Sequence, residues 1–382
     1  MSGPGDARRT GPDGGRDPGA SDGTDGGAAV TRGGVQGARP GRQAPAPAPA
    51  GRPGHTDRSG RTGRSGRGRR GRGEQPVVPD AAFSSYYGEP VLNKPTWKPV
   101  DIAGYLYLGG LAGASSLLAA GGQGTGRPDL ARVAKLGAAG AISLSLGALV
   151  HDLGRPARFL NMLRVFKPTS PMNTGSWLLA GYAPLTLAAV AADLTGRARF
   201  AGAGATAGAA VLGPAVATYT AVLLSDTAVP SWHEGYRELP FVFAGSGASA
   251  AAGLALLCAP LRQAGPARRM AVLGAALELG AFRRMKRGMG LAAEPFEQGR
   301  PHRLLRAAEL LTAGGAALAA YAGSGTGRRG RGGRVPAAVA GVALLTGSAA
   351  LRFGVFHAGV ASAEDPRYTV VPQRERLRAR AG

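Results

Sequence analysis

Two short stretches of the 382-residue chain concentrate side chains able to move protons. The first, "HDLGRPARFLNMLRVFKPTSPMNTGSW", runs from His151 to Trp177 and opens on a His-Asp pair followed by Arg155, Arg158, Arg164 and Lys167. An imidazole beside a carboxylate exchanges a proton near neutral pH, the equipment needed where a carbonyl or hydroxyl changes its protonation state. The same residues also suit a simpler arrangement, in which Asp152 pairs with Arg155 or Arg158 and fastens a loop. Pro156, Pro168 and Pro171 restrict the backbone, and Asn173, Thr174 and Ser176 are candidate caps for a following helix. The second stretch, "YTAVLLSDTAVPSWHEGYRELPFVF", brings Asp226, His233, Glu234, Arg237 and Glu238 together with the flat side chains of Trp232 and Tyr236. Its bland alternative is ordinary interfacial anchoring.

The elements that must position these residues are long and apolar. From Asp101 onward the runs are Ile102 to Gly121, Val133 to Val150, Ser176 to Ala192, Ala207 to Leu224, Leu239 to Leu261, Met270 to Phe282, Leu304 to Tyr321 and Val335 to Phe353. A bilayer core of about 30 Å asks for about 20 helical residues, and a helix leaves no backbone group unpaired in lipid. The fold expected is therefore an all-α integral membrane bundle of about eight transmembrane helices, the short sixth run being the weakest. Stretches such as "LLAAGG", "AAGAISLSLGALV" and "AAGLALLCAP" have no charged face, unlike the helices of a soluble domain. Small-residue seams such as "GGLAG" and "GASA" suit close helix pairs inside lipid.

The average composition hides this. A net charge of +23 and a mean hydropathy of −0.04 suggest a soluble basic protein. The charge, however, gathers in a Gly/Pro/Arg tail with fragments such as "GRQAPAPAPAGRPG" and "RSGRTGRSGRGRRGRG". That composition cannot offset the entropy of ordering, so residues 1–85 are expected to be disordered, 86–360 to form the membrane domain and 361–382 a basic C-terminal tail. Arginine scattered among glycines without stacking aromatics gives nucleic acid a poor platform, and anionic membrane lipid or a partner protein suits it better. No signal-peptide pattern precedes the first run. An even span count puts both tails on one side. Their arginines and the basic loops from His151 to Thr174 and Arg283 to Arg303 favour the cytoplasm, although "LRQAGPARR" and "GRRGRGGR" opposite are basic as well.

On that arrangement the two polar stretches share a side, and a pocket between them is apolar below and protonatable above, as a quinone's tail and head require. Pro156, Trp177, Trp232 and Asp365 are expected to shape this loop and interface region, with Trp177 at headgroup depth. Glu278 in "VLGAALELGAF" and Glu309 in "LLRAAELLTAGG" are carboxylates inside runs. Each must be neutral or paired, and each is a proton-path candidate unless an interfacial arginine such as Arg306 takes it up. Cys258 stands alone, which excludes an intrachain disulfide and an iron–sulfur cluster carried by this chain by itself.

The stretches "YLYLGGLAGASSLLAAGG", "HDLGRPARFLNMLRVFKPTSPMNTGSWLLAGY", "GPAVATYTAVLLSDTAVPSW", "LPFVFAGSGASA" and "LRFGVFHAGVASAEDPRYTVVPQR" together resemble the NrfD/polysulfide reductase membrane subunit family, over roughly Tyr86 to Arg374. The family's Asp-Leu-Gly-Arg-Pro pattern falls on Asp152 to Pro156, its Pro-Thr-Ser-Pro-Met on Pro168 to Met172, its Gly-Ser-Trp on Gly175 to Trp177, and its late Asp-Pro on Asp365 and Pro366. Its Tyr-Thr-Gly-x-Leu-Leu falls on Tyr219 to Leu224, with Ala221 in the glycine's place. The resemblance implies a haem-free, multi-pass subunit of the bacterial cytoplasmic membrane, not catalytic alone. Such a subunit exchanges electrons between menaquinone or another quinone and an iron–sulfur partner, itself linked to a molybdopterin subunit, as in formate dehydrogenase- or polysulfide reductase-like complexes, or to a cytochrome subunit. The alternative is a passive anchor or a proton- or ion-translocating subunit with no quinone site of its own. The Arg/Gly tail lies outside the family pattern.

His151, His233, His302 and His357 all lie near the ends of runs, so no two occupy the middle of different spans as a bis-histidine haem requires. The chain expressed alone is expected to give no Soret band in redox difference spectra, and a bis-histidine haem signal would refute this.

Overall fold

The computed structural model describes residues 91, 92, 95, 97–153, 161–322 and 333–381. The tail expected over residues 1–85 lies outside these, as do Arg155 and Pro156. Helices α1 Pro99–Gly124, α2 Pro128–Leu153, α3 Pro171–Thr195 and α4 Arg199–Ser225 are followed by a single-turn helix, α5 Pro230–His233. Then come α6 Leu239–Cys258, α7 Gly265–Gly288, a 3₁₀ segment Gly290–Phe296, α8 Gly299–Tyr321, α9 Arg334–Glu364 and α10 Arg367–Ala381.

The boundaries have local causes. Proline stands in the first turn of α1, α3 and α6, where its missing N–H removes no helical hydrogen bond. Gly196, at φ 67°, takes the left-handed conformation that ends α3. Most helices outrun the apolar runs because polar residues such as Asp101, Asp129 and His151 continue the helix to the bilayer margin. The largest extension is in α9, which covers 31 residues and continues well past Phe353.

Long helices consecutive in the chain run antiparallel. At one end of the bundle Asp101, at the start of α1, meets His151 at the end of α2. At the other end Gln263, between α6 and α7, accepts hydrogen bonds from the backbone N–H groups of Asp129 (3.0 Å) and Leu130 (3.2 Å) at the start of α2. Helix α1 packs on α2, α4, α6 and α9; α3 closes the group on the α4 side, while α7 and α8 close it behind α6 and α9.

Among the described residues six helices, α1, α2, α3, α4, α6 and α9, are long and apolar enough to cross a membrane. The two remaining runs of the expected eight form α7 and α8, of 24 and 23 residues, long enough but carrying charge: both ends of α7 hold arginines, and Arg300, Arg303, Arg306 and Glu309 load the first half of α8.

Small residues set the spacing. A Cβ on Gly113 would intrude on the carbonyl oxygen of Gly213, and the reverse also holds, so α1 and α4 touch backbone to backbone. A Cβ on Gly247 of α6 would lie 2.7 Å from the carbonyl oxygen of Gly110 on α1. Lipid gives helices little hydrophobic reason to associate, so this close approach is what dispersion contacts can exploit. The outer faces carry large apolar residues instead, with Phe200, Val211, Leu187 and Leu144 all exposed.

Gly113→Leu is expected to destabilise the solubilised protein by at least about 1–3 kcal/mol, because the opposing atom is backbone and cannot rotate away. Gly121→Leu, at a position with nothing within 4 Å of a built Cβ, serves as control and is expected to be near neutral. Equal thermal midpoints for the two variants would contradict the packing account.

Candidate functional site at one end of the bundle

The end where α1 begins and α2 ends holds most of the polar residues singled out in the sequence. His151 sits in the last turn of α2, with its Nδ1 3.1 Å from Oδ2 of Asp101 in the first turn of α1. The two helix ends favour this charge arrangement, since a helix N-terminus stabilises an anion and a C-terminus a cation. An ionised carboxylate only accepts, so Asp101 fixes the proton on Nδ1 and leaves Nε2 as the exchanging atom. The His151 side chain is 67% exposed and that of Asp101 only 14%. Sequence reading paired His151 with its neighbour Asp152, whereas the structure supplies a carboxylate 50 residues away in sequence. Adjacent residues on a helix diverge by about 100°, which explains the substitution. Asp152 remains in the electrostatic neighbourhood of Asp101, Lys98 and His151.

The segment leading into α3 is built around Asn173. Its Oδ1 accepts from the N–H of Lys167 (2.6 Å), and its Nδ2 donates to the carbonyls of Met162 (2.7 Å) and Val165 (2.8 Å). Asn173 therefore ties the preceding loop, and the N-cap position of α3 falls to Ser170, with no side-chain cap bond. Trp177 donates from Nε1 to the carbonyl of Val165 (3.3 Å), meets Phe166 edge-on and keeps 41% of its surface exposed, a position suited to headgroups.

Asp226 and His233 stand at the same end, beyond α4. His233 donates from Nδ1 to the carbonyl of Ser225 (3.0 Å) and lies against Tyr236. A carbonyl only accepts, so its Nε2 is again the free atom. Asp226 is the exposed C-cap residue of α4. Among the described residues no hydrogen bond or ion pair joins Asp226 or His233 to His151. The link between the two clusters is aromatic: Trp97, just before α1, stacks on Trp232 at 6.0 Å and 11°.

Trp232 corrects its sequence assignment. It is fully buried, donates from Nε1 to the carbonyl of Val355 (2.9 Å) and packs on Phe356, so it is a core anchor below the interface. A Cβ on Gly359 would collide with its indole, so α9 presents a glycine there. Asp365 accepts from the N–H of Arg367 (2.9 Å) and starts α10. Arg367 and Tyr368 both reach Glu294 in the 3₁₀ segment, fastening the C-terminal helix to the same end. Partial burial pushes the Tyr368 phenol up, while the hydrogen bond from Arg367 works against that shift.

Deeper in the bundle, one turn inward from Asp101, Tyr105 meets Tyr219 of α4 edge to face. The Tyr219 hydroxyl and the neighbouring Thr220 hydroxyl are buried with no hydrogen-bond partner among the described residues. Tyr219 leans on Gly175, whose missing side chain makes room for the ring. The sequence offered this tyrosine only as part of a pattern, because a phenol within an apolar run looks like packing until its hydroxyl is found unpaired.

The two carboxylates on α7 and α8 part company. Glu309 pairs with Arg306 at 3.3 Å, the interfacial arrangement weighed for it from sequence. Glu278 is 1% exposed and accepts from Thr312 Oγ1 (3.0 Å). The sequence pattern places Arg352 near the end of the apolar run Val335 to Phe353 and gives it no role. Because α9 continues to Glu364, Arg352 is instead fully buried, donating from Nη2 to the carbonyl of Phe243 (2.9 Å) and from Nε to that of Leu106 (3.4 Å). Among the described residues no group of three or more His, Cys, Asp or Glu side chains converges as a metal site.

A family model described as "Polysulphide reductase, NrfD" matches residues 91–279, from the approach to α1 into α7. No curated protein matches the chain. The family comprises membrane subunits generally linked to quinone-reactive oxidoreductase complexes. Its match falls on the helices that carry Asp101, His151, Tyr219 and Trp232, and across residues 91–279 the chain belongs to the NrfD/polysulphide reductase family of integral, multi-pass membrane subunits.

Proposed function

We propose that the chain is the quinone-reactive membrane subunit of a multi-subunit oxidoreductase. In this reading it exchanges electrons between menaquinone, or another quinone, and an iron–sulfur partner that leads to a molybdopterin or cytochrome catalytic subunit. The observation that carries it is the vertical arrangement on α1, α2 and α4: a histidine held by Asp101 at the bundle margin and an unpartnered Tyr219 hydroxyl one turn within. A quinone ring is flat and apolar with an oxygen at each end. The phenol suits one oxygen as hydrogen-bond donor, and Nε2 of His151 suits the proton that leaves a quinol when its electrons pass to the partner. Asp152 stands beside that exchange, Arg155, outside the described residues, is assigned to holding the loop, and Asp226 with His233 forms the neighbouring polar lip. The partner then docks at this same end, beside Asn173's loop and α10. The competing reading, a passive anchor or ion-translocating subunit, predicts no quinone bound to the purified chain.

In the same proposal α7 and α8 cross the bilayer too, giving eight spans. Helix α7 turns Val272, Leu273 and Leu277 outward while burying Glu278, and Leu310 of α8 is 71% exposed. Apolar residues outside and a carboxylate inside are the reverse of a soluble amphipathic helix. Reporter fusions made after Gly73 and after Gln298 are expected to report the same compartment. Opposite compartments would leave α7 and α8 as a hairpin that does not cross.

His151→Gln keeps size and hydrogen bonding but removes proton exchange near neutrality. Quinone-linked turnover of the assembled complex is expected to fall by about 10²-fold or more, while electron flow between the soluble partners and an artificial dye is unchanged. Asp101→Asn frees the Nδ1 proton and should lower the same rate in the same direction. Parental quinone turnover in a fully assembled His151→Gln complex would move the site to Asp226 and His233.

A further inference from the structure

The interior of the bundle holds a second polar cluster, remote from the His151 margin and joined to it by no hydrogen bond or ion pair among the described residues. Its members come from five helices. Arg352 on α9 is fully buried, its guanidinium carbon 3.7 Å from the ring centroid of Phe243. Its Nη2 and Nε donate to carbonyls of α6 and α1, and its Nη1 has no partner. Glu278 on α7 accepts from Thr312 of α8 through Oε1, and its Oε2 has no partner. Ser246 of α6, which also interacts with Glu278, shares a 2.8 Å hydrogen bond with Ser348, one turn before Arg352. Ser249, one turn beyond Ser246, is buried with an unpartnered hydroxyl, and its backbone N–H lies against Gly274, one turn before Glu278.

Three buried polar atoms on α6, α7 and α9 thus have no hydrogen-bond partner among the described residues. A buried polar atom left without a partner is costly, and buried water ordinarily makes such bonds. The remaining charged and titratable groups in the neighbourhood are Tyr107 of α1, coupled to Arg352, and Glu309 of α8, coupled to Glu278 and itself paired with Arg306. Arginine stays protonated, so its charge is a fixture of the site. A metal cation would be repelled by that guanidinium. A neutral water fits, and so does a proton that comes and goes on the one carboxylate.

We propose that Glu278 and Arg352 form a hydrated proton-exchange site in the interior of the bundle, with water completing Glu278 Oε2, Arg352 Nη1 and Ser249 Oγ. The exchange moves no electron. A proton delivered by water forms the Oε2–H bond, and breaking that bond returns the proton to water. Arg352 is a positioning residue that holds the opposite charge fixed, and Gly110 makes space for it, since a Cβ there would lie 2.9 Å from Nη2.

The test is pH-jump infrared difference spectroscopy of the full-length protein in lipid nanodiscs, in H₂O and D₂O, with no quinone added. Its outcome is therefore independent of the quinone reading. The parent is expected to show a carboxylic-acid carbonyl band that shifts in D₂O, disappears in Glu278→Gln and persists in Glu309→Gln. Arg352→Gln should strengthen the band at a given pH, because the neighbouring positive charge that favours the carboxylate is gone. Should that variant fail to assemble, Thr312→Val decides, with the band expected to move to the frequency of a carboxyl bearing fewer hydrogen bonds. A band that survives Glu278→Gln, fails to exchange in D₂O, or ignores both Arg352→Gln and Thr312→Val would overturn the proposal and leave Arg352 as a structural clamp.

Discussion

A single guanidinium joins the three helices at the centre of this bundle. Arg352, on α9, donates to the carbonyl of Leu106 on α1 and to that of Phe243 on α6, and rests over the Phe243 ring. In lipid a charge of this kind has few ways to be accommodated, and backbone carbonyls are available only where helices come very close. The constraint therefore runs in both directions. The arginine needs α1 and α6 at short range, and those helices reach that range because Gly110 and Gly247 carry no side chains at their contact. Everything placed by α1 inherits that fixed point, including Asp101 at its start and Tyr105 one turn later.

The polar end of the bundle is assembled by rigid elements more than by its loops. Trp97 stacks on Trp232, Trp232 hydrogen-bonds to α9, and Gly359 clears the space for it, so the approach to α1 is seated on the far end of the chain. Asp101 and His151 then meet across two helix ends whose dipoles favour their respective charges. Asn173 satisfies three backbone groups of the loop before α3, which ties that loop to the start of the helix. The opposite end is held by simpler means, with Asp193 between Arg132 and Lys135 and with Gln263 on Asp129. These ion pairs have fastening as their evident role.

Family membership and site geometry address different levels of function. The match over residues 91–279 ends inside α7, so it covers the proposed quinone margin but neither Thr312 nor Arg352. The interior cluster is thus a property of how the last two long helices dock on the matched ones. In the proposed reading the quinone margin and the interior proton site share one rigid element, because α1 contributes to both.

The sequence by itself determined the membrane bundle, since twenty-residue apolar runs without a charged face have no other stable home, and each run falls on one of the long helices, although α4, α7 and α9 extend a turn or more beyond theirs. It also marked His151, Trp177 and Glu278 as needing partners, because such side chains are expensive or informative at the margin or middle of a span. Which partners they have was a tertiary decision. Asp101 displaced Asp152 as the carboxylate on His151 because helical geometry turns adjacent residues apart and brings distant helix ends together. Trp232 moved from interface to core because α9 offered a carbonyl and a glycine opposite it. Arg352 changed from a run terminus to a buried charge because α9 continues to Glu364, an extension that hydropathy, which sees the charge as an end, does not register. Pattern in one dimension fixes what must be buried or paired; only the packing of helices in three decides with what.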